Sequence, residues 1–482
     1  MTDRWRRRRR WTAVLLVLAL WVCQAPAYAD VTASSVGPAG EMRGVWISYL
    51  DWEKLPADEE GFQAGVNKIL DRCVELKMNM VFVQVRPDAD AMYPSEYFPW
   101  SRFITGTQGQ DPGYDPLDYF IDAAHERELE FHAWINPFRV TGYLNRWDQL
   151  CEDHPAKVWK NDQDPSNDRW VLKQNGEYYL NPAIPQVREL IVAGVREIVE
   201  NYDVDGVHFD DYFYPEVDNN DPNRWFDKPE YEAARIRYPL SRWRRENVNS
   251  LIRDVYRTVK EASASIPFGI SPEGYVDHLR SNNRLFTDID TWVSEEGYVD
   301  YLMPQLYWGF EHKLTDGTTA PYAFTNNLRT WIDLKRKSNG RVRLYLGLAM
   351  YKAGSGTKDN NPVPEWLRRN DIIKRQVEAG RESGEVAGYC FYAYSSFQEK
   401  AFFASANFCS ASATCCFASS IFSCPSVLTA VYRRSHAASS SASIFVCTSS
   451  TTSQRTAWRS SASRGSAAYR RNRPSSCSCW PT

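Results

Sequence analysis

Residues 205–212 read Asp205-Gly206-Val207-His208-Phe209-Asp210-Asp211-Tyr212. Side chains alternate along a strand, so Gly206, His208 and Asp210 share one face and Val207, Phe209 and Asp211 the other. Val207 and Phe209 suit packing against helices, which turns His208 and Asp210 to the opposite side. Seven further short apolar runs flank this one, at residues 44–48, 80–86, 130–136, 267–271, 301–306, 343–348 and 386–392. Between them, residues 62–77, 116–128, 184–201, 242–262 and 370–383 have the spacing of amphipathic helices. Eight strands alternating with helices over about 350 residues predict an α/β fold, a single (β/α)8 TIM barrel. A doubly wound open sheet competes with it, but no Gly-rich phosphate turn follows the first strand. Residues 141–179 read as a long aromatic loop of the kind that forms a substrate-binding insertion.

The 482-residue chain is 43% hydrophobic, 14% aromatic and 24% charged, and its net charge is -3. Its mean hydropathy of -0.51 excludes a polytopic membrane protein. Residues 1–29 carry six Arg and one Asp, whereas residues 401–482 carry eight Arg and no Asp, Glu or Lys. The total of -3 therefore leaves -16 on the body between them. An acidic body argues against a nucleic-acid partner. Eighteen Trp and 27 Tyr suit a site that stacks on sugars.

Arg4 and Arg6 to Arg10 precede an apolar run from Trp11 to Val22, and Ala27-Tyr28-Ala29 follows it. That order predicts a secretory signal peptide over residues 1–29, cleaved after Ala29. The protein is then exported to the periplasm, cell envelope or outside, with no stable membrane insertion. A retained anchor competes, although the apolar run is short for a span. Residues 30–40 read as a linker and residues 41–403 as the barrel. Cys73, Cys151 and Cys390 are too far apart to form a disulfide framework, and no zinc spacing accompanies them. From residue 404 the chain has 22 Ser, one Gly, one Leu and no acidic residue, and it keeps no period. It reads as an unstructured tail. Its abrupt onset fits translation in a shifted frame; a genuine Ser-rich tail is the alternative.

In a barrel of this kind the chemistry sits at the carboxyl ends of the strands. Five of those ends are polar here. They are Gln84-Val85-Arg86-Pro87-Asp88-Ala89-Asp90, Trp134-Ile135-Asn136-Pro137-Phe138-Arg139, His208-Phe209-Asp210-Asp211-Tyr212, Ser271-Pro272-Glu273 and Gln305-Leu306-Tyr307-Trp308. Alternation puts Gln84 and Arg86 on one face, and an Arg86 beside Asp210 keeps that carboxylate ionised. Two carboxylates flanking one bond suit glycoside hydrolysis: one protonates the leaving oxygen, and the other attacks or activates water. Asp210 is the expected nucleophile or base, and Asp211 or Glu273 the acid. Asp211 equally suits a loop cap, and Glu273 a rim salt bridge. Trp134, Tyr212, Tyr307 and Trp308 are expected to stack on sugar rings. Arg86, Asn136, His208 and Gln305 are expected to bond hydroxyl or acetamido groups, and Gln84, Asp90, Arg139 and Tyr392 complete the substrate contacts. A metal-dependent hydrolase needs a His/Asp cluster, and no second His joins His208 at a convincing strand end. Neither a metal nor another cofactor is expected.

The same residues resemble the glycosyl hydrolase-like family 10. The resemblance rests on Glu41-Met42-Arg43-Gly44-Val45-Trp46, Val83-Gln84-Val85-Arg86-Pro87, Pro112-Gly113-Tyr114-Asp115-Pro116-Leu117 and His132-Ala133-Trp134-Ile135-Asn136-Pro137-Phe138-Arg139. It rests further on Tyr179-Leu180-Asn181-Pro182, Asp205 to Pro215, and Pro304-Gln305-Leu306-Tyr307-Trp308. The matches run in order between residues 41 and 395. The resemblance implies a TIM barrel and an envelope glycosidase that acts on bacterial cell-wall, peptidoglycan-type glycan stripped of peptide. The stretch from Asp205 to Asp210 also resembles the fourth-strand nucleophile motif of alpha-amylase-type barrels, in which the last Asp attacks. One departure concerns the acid: Ser271-Pro272 is followed by Glu273 where the glycosyl hydrolase-like family 10 usually has an apolar residue. Asp90, Asp211 or a loop carboxylate therefore competes with Glu273. A non-catalytic glycan-binding barrel and a hydrolase of another extracellular polysaccharide are the competing functions.

Overall fold

The computed structural model describes residues 40–142, 146–215, 226–354 and 365–398. The expected signal peptide, all but the last residue of the linker, and the tail from residue 404 lie outside the described residues. Strands form at β1 (Met42–Ile47), β2 (Met80–Arg86), β3 (Glu130–Ile135), β4 (Val171–Gln174) and β5 (Glu177–Leu180). They continue with β6 (Gly206–Phe209), β7 (Phe268–Ile270), β8 (Tyr301–Leu302), β9 (Arg343–Leu348) and β10 (Gly388–Phe391). Eight of them close in the order β1-β10-β9-β8-β7-β6-β3-β2, and every pair is parallel. This is the expected (β/α)8 barrel, with all eight strands in the expected places. Among the described residues no helix is long and apolar enough to cross a membrane.

The longer helices are α1 (Glu59–Glu75), α2 (Pro116–His125), α3 (Pro185–Asn201), α4 (Leu240–Ala262), α5 (Phe324–Arg336) and α6 (Ile372–Ser383). Asp58 caps α1 by accepting from the Gly61 amide, and Asp115 caps α2 by accepting from Leu117 and Asp118. Pro116 and Pro185 sit in the first turns of α2 and α3, where a missing N–H costs nothing. Each helix buries one stripe. In α1 that stripe is Phe62, Val66, Ile69, Leu70 and Cys73, and in α3 it includes Val187, Ile191, Val195 and Ile198. These stripes pack against the outward strand residues Val81, Val83, Phe131, Ala133, Val207 and Phe209 in one continuous core.

A second cluster fills the barrel interior: Met42, Trp46, Met80, Phe82, Trp134, Tyr301, Met303, Tyr345 and Cys390. Such large rings need small neighbours. A Cβ on Gly206 would lie 2.3 Å from the His132 ring, and one on Gly269 would lie 2.2 Å from the Tyr301 ring. At the centre, the Nδ1 atoms of His132 and His208 both lie 3.0 Å from the Tyr301 hydroxyl. Burial pushes the His132 ring down to about 4 and His208 well below the usual range, so both are neutral. The barrel is plugged, and substrate can meet it only at the rim.

The stretch read as a loop contains more structure than expected. The helix Pro155–Asn161 and the antiparallel hairpin β4–β5 lie within it. Asn175 and Gly176 turn the hairpin with φ of 53° and 93°, the pair of positive angles that a two-residue type I′ turn requires. The hairpin docks on the rim through a bridge between Arg139 and Tyr179 and a bond from the Leu180 amide to the Phe138 carbonyl.

Candidate active site

Asp210 follows β6 and is buried at the mouth of the barrel. The Trp134 indole donates to its Oδ2 at 3.0 Å, and the Asn136 amide donates to the same oxygen at 3.3 Å. The Tyr212 backbone N–H donates to Oδ1 at 3.4 Å. Burial pushes the Asp210 carboxyl up to about 6, against the pull of Arg139 and these donors. It is therefore mostly ionised at neutral pH, with its orientation fixed from three sides.

Arg139 holds the cationic side of this arrangement. Its Nε donates to Asp88 Oδ1 at 2.7 Å, and its guanidinium carbon lies 5.5 Å from the ring centres of both Tyr49 and Tyr212. Asn136 accepts from the Arg139 backbone N–H at 3.2 Å, which ties the two residues that flank Asp210 to each other. Tyr212 stays 41% exposed, so its ring can face a ligand.

Asp211 is half-buried on the outer side of Asp210. Burial, with the negative charges of Asp210 and Glu273, pushes its carboxyl up to about 8. Glu273 itself is held between an imidazole and a guanidinium: the His278 Nδ1 lies 2.6 Å from one oxygen and the Arg284 Nη2 lies 3.2 Å from the other. Neighbouring carboxylates with different environments give one proton acceptor and one proton donor at the same pH. Of the two, Asp211 holds its proton to higher pH than Asp210.

Several residues expected to touch substrate lie elsewhere. The β2 register shifts between Gln84 and Arg86, so Arg86 pairs with Ile135 and turns outward. Its guanidinium lies 4.5 Å from the Phe98 ring centre, under α3, and Arg139 supplies the charge expected of it beside Asp210. His208 does face the axis, as alternation requires, but it is fully buried among Trp46, Ser271 and Tyr301. Asp90 is sealed beneath the rim, accepting from Gln108 at 3.1 Å and from the Asp88 amide. Gln84 is buried and accepts from the Tyr49 amide at 3.1 Å. Trp134 and Asn136 are buried and donate to Asp210, and Tyr307 is buried against Tyr351 and Tyr392. Gln305, Trp308 and Tyr392 stay partly exposed at the rim, and Gln305 donates to the Ser271 carbonyl at 3.0 Å. Among the described residues no His, Cys, Asp and Glu group has the arrangement of a metal site.

Tyr49, Asp88, His278 and Arg284 join the site without having been singled out by strand-end pattern. Tyr49 and Asp88 follow strand ends, which is the available signal; His278 lies in the short helix Val276–Arg280 after β7 and Arg284 in the loop beyond it, and neither carries one.

A family model described as "Glycosyl hydrolase-like 10" matches residues 41–367. The chain is similar to glycosyl hydrolase YngK of Bacillus subtilis (strain 168), with 36% identity over 395 residues, covering 78% of this chain and 71% of that protein. It is also similar to glycosyl hydrolase DigH of Escherichia coli (strain K12), with 33% identity over 418 residues, covering 78% of this chain and 90% of that protein.

Proposed function

The chain belongs to the glycosyl hydrolase-like 10 family, and we propose that it is an exported glycosidase that cuts peptide-free strands of bacterial cell-wall glycan. That it is a glycoside hydrolase follows from the family; the substrate, the site roles and the location are our reading. Asp211 protonates the glycosidic oxygen as the bond breaks. Asp210 attacks the anomeric carbon or takes a proton from the water that does so. The observation that carries this assignment is the setting of Asp210, buried at the barrel mouth with the Trp134 indole and the Asn136 amide donating to one carboxylate oxygen, beside Asp211, whose carboxyl is pushed up by burial and by the charges of Asp210 and Glu273. Arg139 keeps Asp210 anionic, Trp134 and Asn136 aim it, and Tyr212 and Trp308 offer faces to sugar rings. The Arg block and apolar run at the N-terminus support export, and the family resemblance supports the wall glycan.

The test compares peptide-free wall strands, intact peptide-bearing wall and an unrelated extracellular polysaccharide, scoring new reducing ends. Release from the peptide-free strands above the other two supports the reading. Binding without release points to a non-catalytic barrel, and release from the unrelated polymer alone moves the substrate elsewhere.

A further inference from the structure

Beyond Glu273 the rim carries two rings, Tyr275 and Tyr322, that the proposed function leaves unused and that lead to Trp308. Tyr275 follows β7, and its ring centre lies 4.8 Å from that of His278, the partner of Glu273. It also lies 5.4 Å from Tyr322, which in turn lies 5.3 Å from Trp308 after β8. Gly274 lets these elements close up, since a Cβ there would lie 2.2 Å from the Gln305 carbonyl oxygen and 2.9 Å from the Trp308 ring. Tyr275, Tyr322 and Trp308 are all partly exposed, unlike the rings of the barrel interior. The strand order sets β6, with its carboxylates, between β3 on one side and β7 and β8 on the other. The Tyr275–Tyr322–Trp308 shelf therefore lies across Asp210 and Asp211 from Arg139 and β3. A pyranose ring has an apolar C–H face and a polar edge, and aromatic faces beside charged groups match both.

We infer that this shelf is a sugar-binding subsite, taking the C–H face of a pyranose ring in a glycan chain already laid over Asp210 and Asp211. The inference rests on the proposed glycosidase reading and deepens it. With Tyr212 and Arg139 on one side of the scissile bond and the shelf on the other, the cleft holds sugars in both directions and cuts inside chains. Continuity with Glu273 through His278 is what commits the shelf to a sugar of the same chain.

The experiment uses the Tyr275→Ala and Tyr322→Ala variants of the full chain, with Tyr275→Phe and Tyr322→Phe beside them. Steady-state kinetics are measured on long peptide-free strands and on a short aryl glycoside, and the strands are also run in affinity gels. We expect KM on long strands to rise by roughly tenfold in the Ala variants and far less on the short substrate, with Phe restoring most of the loss. Losses equal on both substrates, or no change on long strands, overturn the subsite. If an Ala variant fails to fold, the matching Leu variant replaces it with the same two criteria. Should wild type retard in the gel without cutting, hydrolysis is the part that fails. The shelf then stands if the variants lose retardation and falls if they keep it; wild type that neither binds nor cuts overturns both.

Discussion

Replacing Asp211 with Asn should abolish the alkaline limb of the pH–rate profile. The productive form has Asp210 ionised and Asp211 protonated. With the carboxyls pushed up to about 6 and about 8, that form predominates near pH 7 and declines on either side. The two limbs belong to the interacting pair, so the variant, which has a single titrating carboxyl, isolates the acid limb. An amide cannot give up the proton, so turnover of a substrate with a poor leaving group should fall by about 10²–10⁴-fold, about 3–5 kcal/mol. An aryl glycoside whose leaving group needs no proton should lose less than about tenfold. The assay is kcat/KM on both substrates from about pH 5 to pH 9. Stability gives an independent check. Asp211 is raised from 3.8 to about 8 in the folded chain, so the native state binds more protons than the unfolded state between those values. Wild type therefore loses stability as pH climbs through that window, and Asp211→Asn should gain in thermal midpoint relative to it. An alkaline limb that survives in the variant, or equal losses on both substrates, would refute the assignment of Asp211 as acid.

Glu273→Gln removes a negative neighbour of Asp211 and should move the alkaline limb down, with a loss under about tenfold near pH 6; a loss of about 10²–10⁴-fold, rescued by a good leaving group, would make Glu273 the acid instead. Arg139→Gln removes the cation that opposes protonation of Asp210 and should move the acid limb up; a pH profile with an unmoved acid limb would show that Arg139 does not set that charge. Gly206→Ala drives a Cβ into the His132 ring and should cost about 1–3 kcal/mol by overpacking, read as a lower thermal midpoint; an unchanged melt would mean that the barrel plug is looser than described.

The barrel was legible because strand and helix periods differ, and because each of its strands is bounded by turn residues or by a helix. The placement of Asp210 was legible too, since Val207 and Phe209 needed an apolar outer layer and alternation did the rest. Depth was not. His208 shares the face of Asp210 but sits two residues earlier, about 6.6 Å lower at strand rise, which is a full side-chain layer beneath the rim. The orientation of Arg86 was not legible either, because the irregularity after Gln84 breaks alternation and no Gly marks it. The hairpin β4–β5 did carry its signal, Asn175-Gly176, inside a stretch read as loop. Arg139 was read as a sugar contact; its tie to Asp210 depends on Asp88, which only the folded rim brings within 2.7 Å. Contacts between separate strand ends are set by the closed barrel and leave no local pattern.

In the proposed mechanism the Asp210 carboxylate carries out the reaction at the anomeric carbon. Asp210→Asn keeps the size and still places an oxygen for the Trp134 and Asn136 donors, but removes the charge. Measured as new reducing ends from peptide-free wall strands at pH 7, turnover should fall by at least roughly 10³-fold, about 4 kcal/mol, while retardation by the same strands in an affinity gel persists. Turnover near that of wild type would contradict the claim and send the search for the catalytic carboxylate elsewhere on the rim.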